Sequence, residues 1–332
     1  MSSPVSNLEK GTSLWADAFV RLRKNKLAVF GGITVIVILI LCFPVGWLLD
    51  ITGGDANAQN LANRFAPFGS TSMEPTEDGT KVETFHLLGT DQLGRDLLLR
   101  VLEGGQISLL VAILSTILTV TAGIIYGGIA GYVGGRVENI MMRIVDGLLA
   151  MPFLIIVILF RELISANVDE LARWFIDEAN FDADLVLRFS NLAPLVLAIA
   201  AFGWLIMGRI VRTAAASLSR SEFVEAARSL GLSHARILFR HILPNMLGPI
   251  IIYATLTIPS FILYEATLSF IGLGIEPPNS SWGILIKEGA NYLETNVVVL
   301  AVPAVLFSLT LFAFNFLGDG LRDALDPKAA KD

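Results

Sequence analysis

Residues 219–245 read SRSEFVEAARSLGLSHARILFRHILPN, a polar stretch in an otherwise apolar chain. Ser219 and Glu222 have the spacing of a capping box, in which each side chain satisfies a backbone donor at a helix start. A first short helix is expected through Phe223, Val224, Ala226, Ala227 and Leu230, ended by Gly231 in the left-handed conformation. Ser233 is placed to cap a second helix bearing Ile237, Leu238, His241 and Ile242. Pro244 then restarts the chain ahead of another apolar run. Two amphipathic helices with a glycine bend between two membrane spans predict a rigid knob on the membrane face. The small pair Ala226–Ala227 admits a close partner surface, and Glu225, Arg228, Arg236 and Arg240 surround it with charge.

What flanks this knob is membrane-like. Of the 332 residues 54% are hydrophobic, and the mean hydropathy is +0.67. Soluble chains use about 45–50% apolar residues. The question is therefore how many segments of about 20 apolar residues the chain holds. The single cysteine, Cys42, excludes an intramolecular disulfide framework. His86, His234 and His241 are scattered along the chain and are read as surface or interface side chains, with no shared metal site.

Residues 1–26 are polar and end in Arg21, Arg23, Lys24 and Lys26. The first apolar run, 27–49, is too long for a signal-peptide core and reads as an uncleaved span. Residues 50–85 read as an exposed loop, and 86–104 as a structured interfacial segment. A second span is expected over 107–129. There Gly123, Gly127, Gly131 and Gly135 form a ridge of small residues for close helix approach, although Gly131 and Gly135 also suit a turn. A third span is expected over 141–160, kinked at Pro152, followed by an acidic loop at 161–190. The fourth is expected over 192–210, the fifth over 246–271 and the sixth over 297–317. A Gly/Pro/Ser-rich re-entrant or interfacial piece is expected between the last two, and 319–332 is a tail. The organisation is thus a cytoplasmic segment (1–26), a first helix (27–49), an outer loop and interfacial segment (50–104), a five-helix core (105–318) holding the cytoplasmic loop 213–245, and the tail. The fold class is an all-α polytopic membrane protein with six transmembrane helices.

Charge sets the expected sidedness. With the N-terminus inside, 16 of the 24 Lys and Arg fall on the inner side, while 20 of the 30 acids fall outside or within the fifth span. That is the positive-inside distribution. It places both termini in the cytoplasm and the chain in the cytoplasmic membrane, in contact with lipid.

Chemistry of its own is absent from the sequence. There is no phosphate-cradling Gly-x-x-x-x-Gly-Lys-Ser/Thr, no HExxH, no CxxC and no Gly-x-Ser-x-Gly. No catalytic residue, metal or bound cofactor is expected, and no nucleic-acid partner. Uphill transport would need a partner or an ion gradient. Glu265 is the one acid inside an expected span, where lipid exposure costs about 2.5–3.5 kcal/mol. It is either a pathway or gating residue or a structural hydrogen bond to a neighbouring helix, and both readings stand. Trp282, beside Ser280, Ser281 and Gly283, reads first as an interfacial anchor and second as a contact for a docked partner.

Glu225-Ala226-Ala227, Gly231, Ile242 and Pro244 resemble the EAA loop of ABC-importer membrane subunits. Further segments (RLRKNKLAVFGG, LGTDQLGRD, GYVGGRVENIMMRIVD, YEATLSFIGLG, SSWGILIKEGAN and FNFLGDGLRDALDPK) are similar, in order and spacing, to the C-type subunit of oligopeptide or dipeptide permeases. Leu87 stands where that family commonly has Pro. The resemblance implies a type I ABC-importer permease fold and import of peptides delivered by an extracytoplasmic binding protein. It also implies a second, B-type permease subunit and one or two ATP-binding subunits that carry the ATP and Mg. On this reading Glu225, Ala226, Ala227, Arg228, Gly231, Leu232, Ile242 and Pro244 couple the ATPases to spans four and five. Glu276 and Trp282 face the binding protein. The 161–190 loop is long for the family. Two alternatives remain: the same importer class carrying nickel chelates or other small solutes, and a gradient-driven secondary transporter, which would commonly show inverted repeats.

Overall fold

In the computed structural model, residues 14–46, 48, 55–75, 81–276 and 279–325 are described. The expected start of the N-terminal segment (1–13), the end of the first span at Leu49 and the tail beyond residue 325 lie outside them. Helix α1 (Leu14–Lys24) meets α2 (Lys26–Ile40) at Asn25, whose side chain accepts from the Leu27 and Ala28 amides. Pro44 has no N–H to donate, and there α2 widens into a π-helical turn, Leu41–Val45. Gln106 donates its amide to the Cys42 carbonyl at 2.5 Å and ties this irregular end to the next span.

That span is α3 (Leu97–Val133), begun ten residues earlier than expected because Asp96 caps it through the Leu99 amide. It packs most extensively against α6 (Ala183–Leu218). The glycine ridge allows this. A Cβ at Gly127 or Gly131 would strike the backbone carbonyls of Gly208 and Arg212. Gly131 is therefore helical and serves close approach. Gly134 and Gly135, with φ of 71° and 61°, make the turn into α4 (Gly135–Leu149).

The third span differs from its expected form. Instead of a kinked helix over 141–160, α4 and α5 (Phe153–Asp177) meet at 93°. Pro152 caps α5 from the position just before it, where its missing N–H costs no intrahelical bond. Among the described residues five helices are long and apolar enough to cross a membrane, six if the bent pair counts as one span.

The acidic segment 161–190 is not a loop either. Residues 161–177 extend α5 and 183–190 open α6, leaving only a short turn with Asn180 at φ 54°. Val168, Leu171, Phe175, Phe181, Val186 and Phe189 line one apolar cleft between the two arms. Their spacing is helical, so the acids occupy the remaining faces of a helical hairpin.

The remaining helices are α7 (Glu222–Ser229) and α8 (His234–Ile237), then α9 (Leu247–Phe270), α10 (Trp282–Ala290) and α11 (Val298–Leu325). The expected outer loop contains a β-hairpin, β1 (Ser70–Pro75) antiparallel to β2 (Lys81–His86), with Ser70 opposite His86. His86 is buried, not on the surface. Its Nε2 bonds the Ser72 hydroxyl at 2.7 Å and its Nδ1 the Asp96 carboxylate at 2.8 Å. The hairpin is thereby fastened to the start of α3.

Candidate functional site

The 219–245 stretch folds as two short helices about Gly231, at the end of the molecule opposite His86. The predicted capping box does not form. The Ser219 hydroxyl donates to the Ala216 carbonyl at 2.9 Å and that of Ser221 to Leu218 at 2.5 Å. These serines satisfy the last carbonyls of α6 instead of the first amides of α7. Ser221, with no capping side-chain bond, is the residue before α7. The other end of α7 behaves as expected. Gly231 has φ 74°, its amide donates to the Arg228 carbonyl at 2.9 Å, and the Leu232 amide reaches Ala227 at 3.2 Å. That pair of bonds is a Schellman motif, which needs a left-handed residue where Gly231 stands. Ser233 caps α8 through the Arg236 amide at 3.4 Å. Pro244 does not break the chain: the helix passes through a π-helical turn, Leu238–Ile242, and continues as Leu243–Asn245. A wider turn tolerates the amide that proline lacks.

The two alanines divide between faces. Val224 and Ala227 are buried and pack with Ile237, Ile242, Met246 and Ile250 from the following helices and with Met207, Val211 and Ala215 of α6. Leu232 is half-buried against the same cluster. Ala226 lies on the open face, with Glu222, Phe223, Glu225, Ser229 and Leu230, the last 81% exposed. A small residue between Phe223 and Leu230, ringed by acids and Arg228, makes a shallow apolar seat.

One contact at this site has no sequence motif behind it. Tyr132, at the last turn of α3 and 9% exposed, bonds through its hydroxyl to His234 Nδ1 at 2.8 Å. The Arg228 guanidinium lies over the same ring, 5.3 Å from its centroid. Both helices of the hairpin thus hold one residue of the second span. A lone tyrosine at a span end, next to arginine-bearing segments, was the available signal. It is a weak one, since aromatic residues are enriched at every membrane interface.

The other candidate residues lie far from this hairpin. Glu265 is fully buried, and its two oxygens accept from Ser108 at 2.7 Å and Ser269 at 2.6 Å. The Ser108 oxygen in turn accepts from the Trp282 amide at 3.2 Å, and the Trp282 indole donates to the Val101 carbonyl at 3.0 Å. Trp282 is 1% exposed. Its ring is a core anchor of α10 on α3 and offers no surface to a docked partner. Glu276 remains exposed and pairs with Arg161 of α5 at 3.4 Å.

Around the same end runs a buried ionic network that sequence reasoning read only as an interfacial segment. Asp91 accepts from the Leu93 and Arg95 amides and from Arg95 Nε at 2.6 Å. Glu288 of α10 accepts from Gln92 at 2.9 Å, Arg95 at 3.0 Å and Arg100 at 3.4 Å. Between the two ends, the 93° break opens onto a cavity of about 320 Å3 lined by Met151, Phe153, Phe202, Tyr253, Thr257 and Tyr264 among others.

Comparison with known proteins agrees with this architecture. Residues 123–331 match the binding-protein-dependent transport system inner membrane component family, and residues 13–67 match the N-terminal TM domain of oligopeptide transport permease C. The oligopeptide transport system permease protein OppC of Haemophilus influenzae is 41% identical over 319 residues, covering 96% of this chain and 90% of that one. OppC of Bacillus subtilis is 36% identical over 323 residues, covering 97% and 92%. The dipeptide transport system permease protein DppC of Bacillus subtilis is 36% identical over 313 residues, covering 94% and 85%. An inward-facing structure of the MetNI methionine ABC transporter overlaps 68% of this chain and 96% of its own at 19% identity, with a TM-score of 0.48. A gradient-driven carrier is set aside by the family match and the OppC and DppC relatives. The chain belongs to the inner-membrane components of binding-protein-dependent transport systems, which are the membrane subunits of ABC importers and not enzymes.

Proposed function

We propose that this chain is the C-type membrane subunit of a peptide importer, driven by ATP-hydrolysing partner subunits that dock on the α7–α8 hairpin. The observation that carries this reading is the open face of α7. Its apolar residues Phe223, Ala226 and Leu230 are left uncovered, while Val224 and Ala227 on its other face are buried. A second membrane subunit completes the pathway, and an extracytoplasmic binding protein delivers cargo at the end bearing Glu276 and the acidic α5–α6 hairpin. ATP and Mg reside on the ATPase partners, and this chain binds neither. Peptide is the cargo by analogy with what the oligopeptide and dipeptide permeases are named for. The excess of Lys and Arg at the Gly231 end supports a cytoplasmic position for that end and for both termini. The cavity at the 93° break, lined mainly by aliphatic and aromatic side chains with the hydroxyl-bearing Tyr253, Thr257, Ser260 and Tyr264 among them, supplies this chain's share of the translocation surface.

The test is co-purification from native membranes, wild type against Gly231→Val. Valine at φ 74° is strained, so the hairpin loses its bend while the spans remain. Wild type should bring down an ATPase and a second membrane subunit, and the variant should insert but lose the ATPase. A wild-type chain that elutes alone from several mild detergents would remove the coupling role. Peptide uptake competed by nickel chelates, and not by other peptides, would replace the cargo.

A further inference from the structure

Resting on that reading, we propose that Tyr132 is the positioning residue through which motion of the docking hairpin enters the membrane, and that α3 is the member that carries it to the outer helix α10. The geometry is a two-point grip. Arg228 belongs to α7 and His234 to α8, on either side of the Gly231 bend, and both close on the ring and hydroxyl of Tyr132. A tilt of either helix therefore acts on the same side chain. Beside the grip lies a hollow of about 570 Å3 lined by Ile129, Tyr132, Val133, Arg228, His234 and Phe239 among others. On that flank this chain's own packing leaves the hairpin uncovered.

What Tyr132 is attached to makes the grip consequential. Helix α3 runs 37 residues without interruption, about 55 Å at about 1.5 Å per residue. Among the described spanning helices it alone contains neither proline nor a break. The first has Pro44, the bent pair Pro152, α6 Pro194, α9 Pro259 and α11 Pro303. Its far end is fixed to α10 twice, by Trp282 on Val101 and Ser108 and by Glu288 on Arg100. The chain also joins the hairpin to α6 covalently, but that helix carries a proline inside it. A rod gripped at one end and fastened at the other transmits displacement with least loss. This is a physical route whose two ends are open to a coupling test.

The experiment uses the assembled importer in proteoliposomes: this chain, the second membrane subunit, the ATPases and the binding protein. It compares wild type, Tyr132→Phe, His234→Ala and the double variant. Tyr132→Phe keeps the ring under Arg228 and removes only the hydroxyl, while His234 is exposed and its loss spares the core. The readouts are peptide imported per ATP hydrolysed and the affinity of the ATPase for the membrane subunits. Each single variant should lower import per ATP by on the order of fivefold, the worth of one hydrogen bond, with ATPase affinity unchanged. The double variant should be no worse than either single, because both remove the same bond. Unchanged import per ATP, additive losses or weakened ATPase affinity would each overturn the proposal. Failure of the wild-type ATPase to associate at all would instead defeat the proposed function and is read separately.

Discussion

The two ends of the molecule are built on opposite principles. At the His86 end, charge is buried. Asp91 and Arg100 are 1% and 2% exposed, and Arg95, Gln92 and Arg100 converge on Glu288. At the Gly231 end the core is apolar, and the charged groups Glu225, Arg228 and Arg236 stand in solvent. A buried ionic network has one good geometry and resists sliding, because a displaced partner leaves a charge unpaired. An apolar cluster is held by non-directional burial and leaves no charge unpaired when its members shift. The difference separates an end held by buried charge from an end held by apolar burial.

Breaking the rigid end should have the largest effect. Asp91→Ala strips acceptors from two backbone amides and from Arg95. It should cost about 3–5 kcal/mol, the range for removing one partner of a buried pair, read as loss of accumulation and a lower Tm in detergent. The next effect belongs to the polar clamp between the two ends. Glu265→Leu orphans the Ser108 and Ser269 hydroxyls and should destabilise by about 1–3 kcal/mol. Urea or thermal unfolding of the purified chain would show it. An unchanged midpoint would mean that Glu265 is not a structural tie, and the pathway reading would return. The smallest effect on stability, and the sharpest on the comparison, is Leu230→Ser. At 81% exposure, its loss should change stability by no more than about 0.5 kcal/mol while weakening ATPase association in a pull-down. A large stability loss there would mean that the open face is covered within this chain.

Much of this was legible in the residues. The Gly231 bend, the Ser233 cap, the fourth to sixth spans and the glycine ridge follow from local rules. Left-handed φ favours glycine, and close helix approach needs missing side chains. Legibility failed where the outcome depended on what lay across from a residue. The charge count of 161–190 suggested a loop, because acids weigh heavily in a sequence and the matching apolar stripe is completed only by Phe181, Val186 and Phe189 of the facing arm. Ser219 and Ser221 had competing acceptors at the end of α6 that spacing alone does not rank. Trp282 looked like a surface anchor until α3 covered it.

The sequence by itself determined the membrane class, the sidedness expected from its charges, the hairpin at 219–245 and the family, because these depend on composition, periodicity and the φ preference of single residues. Only the tertiary structure decided that the third crossing is broken by 93°, that Glu265 is fully hydrogen-bonded, that Glu288 closes an ionic network begun nearly two hundred residues earlier, and that Tyr132 is held by both helices of the hairpin. The Glu265–Ser108, Glu288 and Tyr132 contacts are pairings between side chains far apart in the chain. Which partners meet is fixed by the packing of helices, and no local pattern encodes it.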